Sequence, residues 1–407
     1  MIVIPEELLP VDGRFGSGPA KVRPEALEYL AMRSDVLGTS HRQAPVKQLV
    51  GAVQEGLREL YRLPEGHEVV LGNGGASLFW DMAVVSLIER RSAHAVFGEF
   101  TRKFATSAAR APFLADPLVT ETTPGTVALP EPGDADVVAW AHNETSTGAA
   151  AGVQRIGEGL VLIDGTSAAG GMDVEIDQTD VYYFAPQKNF SSDGGLFIAL
   201  ASPAALERAA RLVGTDRWVP EMLNLDVAAQ NSRRQQTFNT PALATLLLLE
   251  DQINWLIELG GLAAAEARCR ASSDHVYAWA EARPWASPFV ADPGHRSPVV
   301  ATVDLAEEID AARVIATLRA NGIVDVDPYR ALGRNQLRIG CYVSVEPSDV
   351  QALTACIDHV VERLPDRQQR PTPSQHRYRN QGKDHPQTVP PTPNIPGIRD
   401  ISEDLHQ

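Results

Sequence analysis

Two short apolar runs in the middle of the chain, each followed by a reactive side chain, constrain the possible folds most strongly. Val161–Ile163 ends at Asp164, and Val181–Phe184 is followed by Pro186 and then by Lys188. Continuous apolar runs of this length are typical of parallel strands that are buried on both faces of a sheet. Because open α/β sheets bind ligands at the carboxyl ends of their strands, the pattern predicts an acid and an amine that face one crevice.

An aspartate and a lysine at neighbouring strand ends suit pyridoxal phosphate. This cofactor needs a lysine for a Schiff base and a carboxylate to keep its pyridine nitrogen protonated. For these two residues taken alone, the alternative is a pair of solvated charges, since the chain has 36 basic and 52 acidic residues. The other segments of the chain are therefore needed to decide between the two interpretations.

Composition limits the classes of partner. The net charge of −16 argues against nucleic-acid binding and against docking on an anionic membrane, so an anionic substrate needs local arginines. The three cysteines lack metal-ligand spacing and indicate a reducing compartment. The N-terminus has no signal-peptide pattern, and no apolar stretch is long enough to span a bilayer, so we expect a cytoplasmic protein without a metal site.

Apolar runs alternate with helical periodicities over most of the 407 residues, which predicts an α/β fold. A helix is predicted over Val46–Tyr61, and another is predicted to start at Thr240 as N-cap with Pro241 in its first turn. Beyond Gly261, two strands and three helices predict a smaller α/β unit, with one of those helices over Glu307–Ala320. The predicted strands are Glu68–Leu71, His94–Phe97, Asp136–Ala141, Leu196–Leu200, Pro298–Asp304 and Gln336–Val343.

Several loops at the predicted strand ends carry groups suited to anions. His41 and Arg42 precede a helix and could grip a phosphate or carboxylate, or form an ordinary surface pair. The glycine-rich turn before Ala76 and Ser77 could present backbone N–H groups to a phosphate, although many strand–helix turns are rich in glycine. Arg338 lies within a predicted strand, where either a substrate carboxylate or an internal salt bridge could pair with it.

Further side chains could contact a flat cofactor. Phe100 follows a predicted strand, where its ring could stack on the cofactor or belong to the core. The segment HNETSTG carries Asn143, Thr145 and Thr147, whose amide and hydroxyl groups could bind a phenolic oxygen or serve only in a turn.

The C-terminal segment 366–407 has a different composition. It is crowded with Pro, Gln, Arg and His and has almost no apolar runs. Such a segment cannot bury enough apolar surface to order itself, so we predict a disordered tail without an enzymatic role.

Taken together, the segments over residues 12–365 resemble the phosphoserine aminotransferases of the class V aminotransferase group. The segment FAPQKN is fairly specific for that family, and GTSHR with FNTPA strengthens the resemblance. The resemblance implies a fold-type I enzyme, with a mostly parallel seven-stranded sheet in a large domain over 21–258 and a smaller α/β domain from 1–20 and 259–365. The other matching segments are FGSGPAKVRPE, GNGGASLFW, NETSTG, the segment from Ile163 to Ala168, and LRIG.

The resemblance also implies a role for each site residue. Lys188 would form the Schiff base, Asp164 would pair with the pyridine nitrogen, and Phe100 and Thr145 would contact the ring and its phenolic oxygen. The cofactor phosphate would be held by Ala76, Ser77 and Gln187, with Asn239 and Thr240 reaching it from the partner subunit of a homodimer. The substrate's distal anion would bind His41 and Arg42, and its α-carboxylate would bind Arg338.

The implied reaction transfers the amino group of L-glutamate to 3-phosphohydroxypyruvate, giving O-phospho-L-serine and 2-oxoglutarate in a ping-pong cycle. The resemblance implies that this step serves L-serine biosynthesis, and it implies an additional role in pyridoxine biosynthesis. The chain departs from the family at one point, because the glycine turn reads GGAS where many relatives carry GGGR. Another cation would then have to help hold the substrate phosphate, and the candidates are Lys21, Arg14 and Arg330.

Other functions remain to be compared with this one. Another class V activity is possible on the same fold, such as alanine–glyoxylate transamination or cysteine desulfuration. A desulfurase needs a nucleophilic cysteine on a mobile loop, whereas Cys341 falls in a predicted strand and Cys356 in a predicted helix. A non-catalytic interaction protein that works through its tail is the third alternative, and the aspartate–lysine pair argues against it.

Overall fold

A seven-stranded sheet supports most of the chain. The computed structural model describes residues 2–364. The strands of this sheet are β1 Glu68–Gly74, β2 Ser92–Val96, β3 Leu118–Glu121, β4 Val137–Ala141, β7 Leu160–Asp164, β8 Val181–Phe184 and β9 Gly195–Ala201. They lie in the order β1-β9-β8-β7-β4-β2-β3, and neighbours from β8 to β3 are parallel, whereas β9 runs antiparallel to both β8 and β1. The mostly parallel seven-stranded α/β prediction is therefore confirmed.

Helices cover both faces of this sheet, which explains why apolar residues of its central strands point to both sides. In β7, Val161 and Ile163 pack into one core cluster, while Leu160 and Leu162 pack into the other. Successive side chains of a strand point to opposite faces, so both faces need apolar residues. The helices are α1 Pro24–Met32, α2 Ala44–Leu60, α3 Ala76–Ser86, α4 Glu99–Ala109, α5 Pro203–Val213, α6 Leu225–Ser232, α7 Leu243–Leu259, α8 Gly261–Glu281, α9 Ala311–Ala320 and α10 Pro347–Val361.

Two smaller sheets complete the described strands. β5 (Asn143–Glu144) pairs with β6 (Ala149–Ala150) just after β4. In the C-terminal part, β10 (Ala286–Pro288), β11 (Val300–Leu305) and β12 (Gln336–Gly340) form an antiparallel sheet.

Two predictions for the C-terminal part were inaccurate. β10 was not predicted, because three residues that end in proline give no strand signal. Helix α9 begins at Ala311 rather than at Glu307, because the Asp310 side chain accepts a hydrogen bond from the Ala312 N–H and caps the helix there.

The predicted start of α7 was also wrong. The helix begins at Leu243, and its N-cap residue, Ala242, has no side-chain capping bond. The polar groups of Thr240 are used elsewhere: its carbonyl oxygen accepts a hydrogen bond from Asn73 Nδ2 at 2.8 Å, and its hydroxyl oxygen lies 3.2 Å from His41 Nδ1. Thr240 therefore lies in the loop before the helix.

The N-terminal segment joins the C-terminal part through its backbone. The Val324 N–H donates to the Gly13 carbonyl at 2.8 Å, and the Gly340 N–H donates to the Phe15 carbonyl at 2.8 Å. Assignment of residues 1–20 and 259–365 to a separate small domain stays a prediction. The predicted tail 366–407 lies outside the described residues. Within residues 2–364, every helix is too short or too polar to cross a bilayer.

Candidate active site

A cavity of about 330 Å³ opens at the carboxyl edge of the large sheet. It is formed where β4 and β7 end, where the loop after β8 returns, and where α3 and α4 begin. Volumes of this size are typical of small-molecule sites. Seven of the predicted site residues line the cavity: Ala76, Ser77, Phe100, Thr145, Asp164, Gln187 and Lys188.

Lys188 contributes the amine on one wall of the cavity. Its Nζ donates a hydrogen bond to the carbonyl oxygen of Ser17 at 2.8 Å. The pKa of this amine is lowered to about 8, first by burial and then by the positive charge of Arg338, while the charges of Asp164 and Glu144 oppose the shift. A lysine with such a pKa has a substantial neutral fraction near physiological pH and can act as a base.

Asp164 faces the same cavity from the end of β7. Its Oδ2 accepts a hydrogen bond from Trp80 Nε1 at 3.1 Å, and its Oδ1 accepts one from the Thr166 N–H at 2.9 Å. Burial raises the pKa of this carboxyl, and the hydrogen bonds oppose that shift. The aspartate and the lysine thus meet at one crevice, as the sequence predicted.

The glycine-rich turn ends in the N-terminus of α3. Gly75 is the N-cap residue, and no side chain caps the helix, so the first backbone N–H groups, at Ala76 and Ser77, lie at the cavity. A helix N-terminus of this kind favours an anion. Gln187 Oε1, on the facing loop, is buried without a hydrogen-bond partner among the described residues.

Arg338 lies on β12, just outside this cavity. One of its guanidinium nitrogens, Nη1, donates to the Thr145 carbonyl at 3.2 Å, whereas Nε is buried without a partner among residues 2–364. The ring of Tyr329 lies 5.4 Å from the guanidinium carbon of Arg338 and 5.7 Å from the ring of Phe100. Burial lowers the pKa of Arg338. The arginine therefore has unused donor capacity beside the cavity.

The four remaining predicted residues form a separate group, which we call the outer cluster: His41, Arg42, Asn239 and Thr240. His41 contacts Thr240, and Asn239 Nδ2 lies 3.1 Å from the sulfur of Met222. Arg42, Asn239 and Thr240 are exposed. None of the four lines the cavity, although Asn73 connects Thr240 to the end of β1.

Comparison with known proteins agrees with this architecture. A relative from Mycolicibacterium vanbaalenii is 56% identical over 365 residues, which cover 89% of this chain and 98% of the relative. The phosphoserine aminotransferase of a Nocardioides species is 55% identical over 368 residues, with 89% and 98% covered. The chain belongs to the phosphoserine aminotransferase family.

Two further comparisons concern the wider family and the fold of this chain. The model of the class V aminotransferases matches residues 131–326. The crystal structure of a phosphoserine aminotransferase from Cytophaga hutchinsonii shares the fold, with a TM-score of 0.80 at 19% identity, over 87% of this chain and 99% of that one.

Two cavity residues of this phosphoserine aminotransferase family member, Trp80 and Thr166, were not predicted as site residues. Trp80 lies four residues after Ala76 on α3, and this i, i+4 spacing was the available signal that both share a face. Thr166 lies two residues after Asp164 and lowers the pKa of that carboxyl through hydrogen bonds. Asn143, which the sequence offered as a candidate beside Thr145, also lines the cavity, and its Oδ1 is buried without a partner within the described chain.

Glu144 was missed as well. Its carboxylate is fully buried and accepts hydrogen bonds from the Phe100 N–H, the Thr101 N–H and the Ser146 N–H at 2.9–3.1 Å. It therefore fixes the start of α4, and with it Phe100, against the loop that carries Thr145.

Proposed function

We propose that this protein is a pyridoxal-phosphate-dependent transaminase that exchanges the amino group between L-glutamate and 3-phosphohydroxypyruvate, giving O-phospho-L-serine and 2-oxoglutarate. The observation that carries the proposal is the single cavity lined by both Asp164 and Lys188. The 55% identity with the Nocardioides phosphoserine aminotransferase supports the choice of substrates.

The residues of the cavity fit pyridoxal phosphate. Unpartnered oxygens of Asn143 and Gln187 are buried there, and the uncapped N-terminus of α3 suits a phosphate. The carboxylate and the amine supply the two groups that the cofactor ring and its aldehyde need. When bound, the cofactor supplies an electron-withdrawing aromatic aldehyde, which acidifies the substrate Cα–H bond.

Lys188 would act as the base for that proton. Because its pKa is lowered to about 8, Nζ can take up a proton and release it again near neutral pH. Asp164 would hold a proton on the cofactor ring, with its carboxylate oriented by Trp80 and Thr166.

Both proposed substrates carry an anion at each end, so each needs two cationic contacts. Arg338 would bind the α-carboxylate, since its unpartnered Nε and its remaining N–H groups are available beside the cavity. The outer cluster would bind the distal anion and the cofactor phosphate in the cavity of a partner subunit. Its exposure, and its position outside the cavity of its own subunit, support a homodimer with shared sites.

Arg330 would replace the arginine that is missing from the glycine turn. Arg14 is engaged by Asp12 through two hydrogen bonds, and Lys21 is buried between Asp12 and Asp349. The side chain of Arg330 is exposed, has no hydrogen bond or ion pair to any other described residue, and lines the same pocket as Arg338.

The burial of the three cysteines argues against a cysteine desulfurase. Burial raises the pKa of Cys341 to about 12 and that of Cys356 to about 11. Cys269 is buried as well, and its pKa is raised for the same reason. Thiols of this kind are not nucleophiles at neutral pH.

A half-reaction screen tests the proposed function. Purified protein with bound cofactor is mixed with one amino donor at a time, and the absorbance of the cofactor is followed. We expect L-glutamate to convert the cofactor and 3-phosphohydroxypyruvate to convert it back, with alanine and glyoxylate far slower. Conversion by alanine and glyoxylate alone would identify an alanine–glyoxylate transaminase instead.

Two matched variants test the role of Arg330. Arg330→Ala is expected to raise the KM for 3-phosphohydroxypyruvate roughly tenfold, as expected for loss of a charge-assisted contact. Arg334→Ala is the control, because Arg334 lines the same pocket but is paired with Asp304. Equal effects of the two substitutions would contradict the assignment.

A further inference from the structure

The backbone segment Phe15–Ala20 runs between the loop that carries Lys188 and the strand that carries Arg338. The Ala20 N–H donates to the Gln187 carbonyl at 2.8 Å, and the Phe15 carbonyl accepts from the Gly340 N–H at 2.8 Å. Hydrogen bonds to both sides therefore fix this segment at the cavity wall.

The carbonyl oxygen of Ser17, at the centre of this segment, accepts two side-chain hydrogen bonds. One comes from Lys188 Nζ at 2.8 Å, and the other comes from the hydroxyl of Tyr342 at 2.6 Å. Tyr342 is fully buried. Because burial raises its pKa, the phenol stays neutral and keeps its proton for this bond.

Gly18, the residue after Ser17, has no side chain and therefore leaves room for the Lys188 amine. A side chain at Gly18 would place its Cβ 2.2 Å from Lys188 Nζ, closer than any nonbonded contact allows. The residue also has a φ of +155°, at the limit of the region that favours glycine. The contact between Nζ and the Ser17 carbonyl thus depends on a glycine at this position.

We propose that the Ser17 carbonyl, oriented by Tyr342, is the docking position of the Lys188 amine whenever that amine is not linked to the cofactor. This proposal rests on the proposed function and assigns Tyr342 as a positioning residue for proton transfer at the substrate Cα. The neutral amine donates one N–H to Ser17 and keeps its lone pair for the proton. Once protonated, the ammonium keeps the same hydrogen bond, so Nζ does not have to move between the two states.

The charged groups around the amine do not provide such a position. The charges of Asp164 and Glu144 attract the ammonium and that of Arg338 repels it, but the hydrogen bond that Lys188 Nζ makes within residues 2–364 goes to Ser17. The carbonyl therefore determines where the amine lies, and the charges adjust how readily it takes up a proton.

The test compares Tyr342→Phe with Tyr277→Phe. Tyr277 is also buried, and its hydroxyl donates to the Ser297 carbonyl at 2.8 Å, so both variants lose a buried phenol–carbonyl bond. Lys188 in the cofactor-free protein is labelled with acetic anhydride over a pH series, and the product is quantified by peptide mass spectrometry. We expect the apparent pKa of Lys188 to fall by roughly half a unit in Tyr342→Phe and to stay at the wild-type value in Tyr277→Phe.

The holoenzyme gives a second readout. With α-deuterated glutamate, Tyr342→Phe should lower kcat about tenfold and increase the isotope effect, with KM within about twofold of wild type. Tyr277→Phe should change neither. Identical labelling profiles and isotope effects in the two variants would overturn the proposal.

Gly18→Ala provides an independent variant should Tyr342→Phe fail to fold. The added methyl group displaces Nζ from Ser17, so the pKa of Lys188 should fall by more than in Tyr342→Phe. An unchanged labelling profile in a folded Gly18→Ala protein would refute the docking position. The labelling is done on protein that does not turn over substrate, so it tests the docking position alone. A failure of the proposed function would instead appear in the half-reaction screen.

Discussion

The cavity and the outer cluster differ in how their side chains are held. Asp164 accepts hydrogen bonds from Trp80 and Thr166, and Lys188 is bound to a backbone carbonyl, so the cavity is pre-organised within one subunit. Arg42, by contrast, is exposed, and no described residue pairs with its side chain. We therefore propose that the cavity carries the chemistry by itself and that the outer cluster needs a second surface to complete it.

The largest effect is expected at the cavity. Lys188→Ala should abolish transamination and the absorbance of the lysine-linked cofactor, because the substitution removes the group that forms the link and moves the proton. The check is the absorbance spectrum of the purified variant together with its turnover of glutamate. Persistence of either signal would refute the assignment of Lys188.

The next effect tests whether the outer cluster serves the partner's cavity. Arg42→Ala should weaken the binding of phosphorylated substrates about a hundredfold and the binding of alanine hardly at all, because only the phosphorylated substrates carry a distal anion. Equal losses for both substrates would count against this role.

Mixing the Lys188→Ala and Arg42→Ala proteins tests directly whether the two regions of different subunits cooperate. In a mixed dimer of Lys188→Ala and Arg42→Ala, one of the two sites receives an intact lysine and an intact arginine. Random exchange should therefore restore about a quarter of wild-type activity towards phosphorylated substrates. No recovery after verified subunit exchange would mean that each subunit uses its own outer cluster.

A smaller effect is expected from the residue that orients Asp164. Trp80→Phe removes the Nε1 donor at 3.1 Å, and a hydrogen bond to a charged group contributes about 1.5–3 kcal/mol. Affinity for the cofactor should fall roughly tenfold in an absorbance titration. Trp140→Phe is the matched control, since Trp140 is also buried but donates to the Gly152 carbonyl. Equal affinity losses would show that only bulk packing matters.

The smallest effect is expected outside both regions. A chain that ends after Pro365 should keep wild-type kcat and KM, because the candidate site residues all precede that point. The measurement is a steady-state assay of the truncated protein. An inactive but folded truncation would show that the C-terminal segment takes part in the function.

Much of the site could be predicted from the sequence because its chemistry is coupled to strong local patterns. Asp164 and Lys188 follow apolar runs whose burial on both faces is visible in their composition. The contribution of Trp80 could not be predicted, because an indole on an apolar helix is indistinguishable from a core residue until packing orients its N–H group. Thr240 was misassigned as a helix cap, since its true partners, Asn73 and His41, are distant in the sequence.

The reversed direction of β9 has a consequence for how the chain tolerates change in length. Because β8 and β9 are antiparallel, the connection with Lys188 spans only residues 185–194, and each end continues directly into a strand. A parallel neighbour would have required a long crossover, in which an inserted residue can be absorbed at a distance. Here every residue of the connection lies within a few positions of Lys188, so we expect an insertion or deletion to displace the amine and the length of this return to vary less than that of the other loops on the same edge.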